Sequence, residues 1–175
     1  VVAYDSRDKL FSAERGNVAQ LQLRAFGSLL GSDHTFEQVI LDLRHYRTLK
    51  PGVVLAVQAY SQSTGGEPPF NMMAMVGGSS RLRGYWTGRY RDRQAVVVQG
   101  ELRAHVKGRL GVAAFAGVGG VGDTYGRMHL DQLHPSLGAG LRWLFDPEAN
   151  IKLRLDFARG DAGQSGTYIT VMEAF

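Results

Sequence analysis

Cysteine is absent from the 175 residues, which removes both a disulfide framework and a thiolate metal site. No stretch of about 18 consecutive apolar residues occurs, so no membrane-crossing helix is expected. The five histidines, His34, His45, His105, His129 and His134, show no metal spacing such as H-E-x-x-H. There is no G-x-S-x-G nucleophile elbow. Gly117-Val118-Gly119-Gly120-Val121-Gly122 resembles a dinucleotide loop but lacks the helix that has to follow it. These gaps leave no catalytic residue, metal site or cofactor to expect. The chain opens on strand-like sequence at Val1 with no leader, and reads as a mature or excised piece.

Glycine is what the chain has in excess. Its 23 glycines are about twice the ordinary share, and several, such as Gly117, Gly119, Gly138 and Gly140, interrupt apolar runs. Glycine weakens a helix interior, whereas in strands it marks bends and close backbone approach. The composition therefore points to β structure. Mean hydropathy is −0.16, which decides nothing, because a membrane barrel hides its lipid face by alternation. The net charge of +4 could suit nucleic acid. The arginines, however, recur beside acids inside strand-like segments, as in Leu153-Arg154-Leu155-Asp156, and a charged lumen explains that equally well.

The dominant period is two. In Ile151–Phe157 the odd positions are apolar, and Lys152, Arg154 and Asp156 share the other face. Leu21, Leu23 and Ala25 likewise oppose Gln20, Gln22 and Arg24. Val39, Leu41 and Leu43 oppose Gln38, Asp42 and Arg44. Leu102 and Ala104 oppose Glu101, Arg103 and His105. Leu137, Ala139, Leu141, Trp143 and Phe145 oppose Ser136 and Arg142. Ile169, Val171 and Phe175 share a face in the last segment.

About nine strands are predicted, near 1–7, 17–27, 36–48, 52–63, 94–107, 109–121, 135–145, 150–159 and 167–175. Most reach the roughly 9–11 residues a tilted membrane strand needs. Tight turns such as Lys50-Pro51-Gly52 alternate with long connections at 64–93 and 122–134, the outer-membrane pattern. A soluble β-sandwich or lipocalin-like barrel stays open on alternation alone.

The motifs go further. The loop segment Leu82-Arg83-Gly84-Tyr85 resembles the [V/L]-R-G-[F/Y] signature of the outer-membrane protein assembly-factor superfamily, and its continuation Gly88-Arg89-Tyr90-Arg91-Asp92-Arg93 is similar to the bacterial surface-antigen branch. Tyr4-Asp5-Ser6-Arg7-Asp8 with Arg15-Gly16, and Leu153–Gly160, resemble further family segments. The likeness implies an all-β, antiparallel transmembrane meander, the C-terminal part of a 16-stranded barrel, with 64–93 folded into the lumen. It also implies that Arg83 is clamped by acids on the inner wall: Glu101 on the next strand, and a second acid on the following one. Gly117 stands where that second acid is expected, so Asp42 and Asp156 are the inward-facing candidates to replace it. Physically, an arginine in a water-poor lumen needs a carboxylate, and its planar fork suits bidentate pairing.

Tyr168, Ile169, Val171 and Phe175 resemble the C-terminal assembly signal of such barrels. Glu173 is unusual at a position normally apolar, and near the interface it is expected to snorkel to water. The resemblance implies location in the bacterial outer membrane and a role in inserting or translocating proteins, the alternative being a barrel that anchors or exports a passenger domain. Expected partners are outer-membrane lipids, a substrate or passenger polypeptide and the barrel assembly machinery. Nucleic acid is not expected, because the basic loop 81–93 lies between two membrane-length strands. The odd strand count leaves three readings: the first segment is not a strand, the chain is part of a larger barrel, or a second copy joins it.

Overall fold

The computed structural model describes residues 1–128 and 132–175. Nine antiparallel strands pair in the order β1-β2-β3-β4-β7-β8-β9-β10-β11. They are β1 (Val2–Asp5), β2 (Gly16–Phe26), β3 (Phe36–Lys50), β4 (Val53–Gly66), β7 (Gln94–Lys107), β8 (Leu110–Gly122), β9 (His134–Asp146), β10 (Ile151–Gly160) and β11 (Ser165–Val171). A separate hairpin, β5 (Ala74–Val76) with β6 (Tyr90–Asp92), lies within the connection from β4 to β7. Each large strand pairs with its predecessor in the main sheet, so the sheet is a meander. It is curled but not closed, and is part of a barrel.

Burial runs inside out relative to a soluble barrel. Gln38, Asp42, Gln58, Gln99, Glu101, Arg103, Arg142, Arg154 and Asp156 are buried, while Leu23, Leu141, Phe145 and Phe157 are exposed. Ile169 reaches 79% exposure and Leu137 67%. Because successive side chains alternate across a strand, one set of inward polar residues and one set of outward apolar residues follows from the period of two. No helix of the described residues is long and apolar enough to cross a membrane, and the strands do not need one.

The tightest turns gather at one end and the longest connections at the other. Tight turns join β3 to β4, β7 to β8 and β9 to β10, with Gly52 and Gly108 in the left-handed region. The other end carries the longer connections, including 67–93. The strand expected over 1–7 is shorter than its alternation suggests. Regular pairing ends at Asp5, although Ser6 N and Asp8 N still donate to Asn17 O (2.9 Å) and Arg15 O (3.2 Å), and the turn beyond them buries Ser12 and Ala13 at the short-turn end. Asp8 organises that segment by accepting from the backbone N–H groups of Glu14 (2.9 Å) and Arg15 (3.2 Å). Burial alone would raise its carboxyl; these donors outweigh it and hold it below the ordinary range.

The last segment also departs from expectation. The strand predicted to 175 ends at Val171, and Met172 adopts φ +69°. The tail then turns inward. Phe175 is therefore not on the outward face with Ile169 and Val171. It is buried against Ala13, Tyr46 and Ala56, and its carbonyl accepts from Arg103 Nη2 at 3.0 Å. A second apolar cluster, nearer the long-loop end, unites Leu82 and Tyr85 with Ile40, Tyr60, Val76 and Val97. Between the two clusters lies a layer of ions.

Candidate functional site

Arg83 is at the centre of that layer and only 1% exposed. Its Nη2 donates to Glu101 Oε2 at 2.6 Å and its Nη1 to Asp156 Oδ2 at 2.5 Å. Arg142 reaches the other oxygens of the same two acids, Asp156 Oδ1 at 2.6 Å and Glu101 Oε1 at 3.1 Å. Two arginines and two carboxylates thus alternate around a closed ring. Arg103 adds a bond to Glu101 at 2.8 Å, and Arg154 approaches Asp156 at 3.3 Å. The Arg83 guanidinium also lies over the Phe115 ring, 3.3 Å from its centroid. Each carboxylate is spread over several N–H donors, which is the condition under which buried charge is tolerated.

The wall that carries these groups is made possible by small residues. Beside Asp156 in the ladder stands Gly140, where a Cβ would run into the Asp156 carboxylate and come 2.8 Å from Arg142 Nη1. Gly138 makes the same room for the Phe115 ring. Gly117 pairs with Gln99, and a Cβ there would stand 2.7 Å from the Gln99 Cβ. No carboxylate side chain fits at Gly117 while Gln99 keeps its place, and Gln99 is engaged: it donates to Ser80 O at 2.7 Å and accepts from Leu82 N at 3.3 Å.

The loop backbone is pinned from several strands. Ser136 Oγ donates to the Arg83 carbonyl. Gly84 N donates to Tyr168 Oη, which donates onward to the Tyr85 carbonyl, both at 2.9 Å. Tyr85 Oη donates to the Pro135 carbonyl and accepts from Asp161 N at 2.8 Å. Burial pushes the Tyr85 phenol up to about 12, so it remains a donor. Arg154 Nη2 donates to Ser79 O at 2.9 Å. Toward the long-loop end, Tyr90 stacks on His134 with centroids 3.6 Å apart, and His134 Nδ1 lies 2.7 Å from Asp161.

Two backbone conformations let the motif enter so tightly. Leu82 has φ +58° and Gly84 φ +106°. At Gly84 a Cβ would meet the backbone of Arg159 at 2.8 Å and of Gly160 at 2.9 Å. We expect Gly84→Ala to undock the loop at a cost of about 1–3 kcal/mol from strain alone, read as new protease cleavage within 77–93 in the folded, detergent-bound protein. An uncleaved loop contradicts it.

The residues expected at the site fall into three groups. Leu82, Arg83, Gly84, Tyr85, Glu101 and Asp156 come together. Asp42 does not join them: Arg44 takes it at 2.6 Å and Gln58 at 2.9 Å, because residue 44 shares its face two positions along β3 and Gln58 stands on the neighbouring strand. Among the residues grouped as a C-terminal signal, Ile169 and Val171 face outward, whereas Tyr168 grips the loop and Phe175 packs inside. His105, on the inward face by alternation, is exposed at the short-turn end.

Arg142, Arg103 and Phe115 belong to no sequence motif and were not anticipated. For Arg142 the available signal is an inward arginine with no acid two residues away, since such a cation has to find its partner across the lumen; Arg103 pairs with Glu101 two positions along its own strand. Glu173 is the other surprise. It does not reach water but accepts from Arg142 Nε at 2.7 Å and lies 3.7 Å from Arg103 and 3.6 Å from Lys152. If it faced lipid, Glu173→Leu would stabilise. Buried beside three cations, the change should instead cost about 3 kcal/mol, measured as a lower urea midpoint in detergent.

An open, curled β-meander, apolar outside and ion-lined inside with a loop docked in its lumen, defines part of a transmembrane β-barrel. The Omp85 superfamily domain matches residues 1–166, and the chain belongs to that superfamily of outer-membrane barrels. The fold is that of a BamA barrel: 96% of the chain superposes on the crystal structure of BamA from Haemophilus ducreyi lacking POTRA domains 1–3, with a TM-score of 0.74 and 18% identity. The chain spans 39% of the length of that BamA chain. No curated protein sequence matches it.

Proposed function

We propose that the chain is the C-terminal part of an outer-membrane barrel that inserts or translocates polypeptides, and that the Arg83 clamp holds its lumen loop in the closed position. The observation that carries this reading is the buried ring of Arg83, Glu101, Arg142 and Asp156. The ion pairs hold the loop differently from the apolar contacts of Leu82 and Tyr85, because water entering the lumen competes for them. Such a contact can be remade after a polypeptide has displaced it. The wall itself, with its lipid-facing apolar residues, is anchored independently of that contact.

Anchoring or exporting a covalently attached passenger is the alternative, and it uses the same wall. The test is reconstitution of the full-length protein in liposomes with an unfolded outer-membrane polypeptide supplied from outside. Faster insertion or translocation than in empty liposomes is expected. A barrel that folds in the bilayer yet leaves the rate unchanged overturns the translocation reading and favours the anchor.

A further inference from the structure

The outward face of β8–β11 carries an apolar groove of about 660 Å³. Ladder register explains its shape. Ala114, Ala139, Phe157 and Thr167 form one outward rung, and Ala116, Leu137, Arg159 and Ser165 form the next rung toward the long-loop end. Two alanines at Ala114 and Ala139 leave a depression between the projecting Leu137 and Phe157. The two rungs are about 7 Å apart along the strands.

One end of this groove is polar. Arg159 is the last outward residue of β10 and is exposed. Its side chain has no hydrogen bond or ion pair to any described residue. The outward positions around it on β8–β11 are apolar or hydroxylated, so this face offers no carboxylate to neutralise it. Ser165 and Thr167, both exposed, stand beside it on β11. A cation on a lipid-facing surface is tolerated near the interface but not without a counter-charge or water.

We infer that this groove binds a phosphorylated lipid of the outer leaflet, with an acyl chain lying over Ala114 and Ala139 and the phosphate on Arg159. The long-loop end faces the cell exterior in this class of barrel, which puts Arg159 at the height of outer-leaflet headgroups. A symmetric second copy is disfavoured as the occupant, because a two-fold contact on this patch would bring Arg159 toward its own image. The site uses only β8–β11, so it does not depend on what closes the barrel. It does rest on the membrane reading given above.

The test is native mass spectrometry of the full-length protein in detergent, titrated with lipid A, with dephosphorylated lipid A and with phosphatidylcholine. Lipid A should bind best. Arg159→Gln and removal of the lipid phosphates should each weaken binding roughly tenfold, the effect of one charge-assisted hydrogen bond. Ala139→Leu should weaken the phosphorylated and dephosphorylated forms alike by filling the groove. Both substitutions lie on the outward face and should leave the folded, heat-modifiable band intact on cold gels. Equal binding by all variants and all lipids overturns the site, as does a dimer that Ala139→Leu dissolves. A protein soluble without detergent overturns the membrane reading and the site with it.

Discussion

Arg83→Ala is expected to loosen the lumen loop without unfolding the barrel. The substitution removes both bonds that tie the loop's cation to Glu101 and Asp156. It does not strand those acids, because Arg142 still bridges both and Arg103 still reaches Glu101. The loss therefore falls at the low end of the range for breaking a buried pair, about 3 kcal/mol, or roughly a hundredfold in the docked fraction. Gln99, Ser136, Arg154 and Tyr168 still hold the loop backbone, each bond worth about 1 kcal/mol, so the change is local. Arg83→Lys should lose most of the same energy, since one ammonium cannot span two carboxylates or stack on Phe115 as a guanidinium does. Single-channel conductance in planar bilayers should become larger or noisier, and polypeptide transport should fall. Unchanged conductance together with unchanged transport removes Arg83 and Glu101 as a functional pair.

Glu101→Gln provides the contrast. It withdraws charge from Arg83, Arg103 and Arg142 together, so its effect should exceed that of Arg83→Ala. The double variant should cost less than the two singles added, because both act on one network.

The alternation that predicts β3, β7, β9 and β10 is legible because a membrane wall forces one face to be apolar along the whole strand. The same rule failed at the C-terminal tail. Ile169 and Val171 set a phase that places residues 173 and 175 outward, but Glu173 already contradicts it, and a carboxylate on a lipid face is a reason to end the strand. Met172, in the left-handed region, is where it ends. Asp42 and Asp156 were equivalent by pattern. What separates them is the curl of the sheet, which brings β10 to the loop and leaves Asp42 on β3 to Arg44 and Gln58. The ring partner Arg142 was visible only as an inward residue without a neighbouring acid. Gly117 was read as a missing carboxylate; its place in the ladder shows a residue kept small so that Gln99 can reach the loop.

The largest effect away from the site is expected at Leu141→Arg. Leu141 faces outward in the middle of β9, in register with Val112 on β8 and Leu155 on β10, and is half-exposed. On a protein facing water, replacing such a leucine changes stability by no more than about 0.5 kcal/mol. Facing hydrocarbon at mid-membrane, the arginine should cost about 2–4 kcal/mol, read from urea unfolding of the protein in liposomes. A cost within the aqueous range would mean that this face does not meet lipid. The adjacent residue sharpens the comparison. Arg142→Leu turns a charged residue apolar and would relieve desolvation if position 142 faced lipid. It faces the ion layer, where the change leaves Glu101, Asp156 and Glu173 short of a partner and should cost about 3–5 kcal/mol. Charge is thus damaging at 141 and its removal damaging at 142. A soluble barrel with its apolar face inside would also suffer at 141, where the arginine would be buried, but would tolerate Arg142→Leu on its wetted face within about 0.5 kcal/mol.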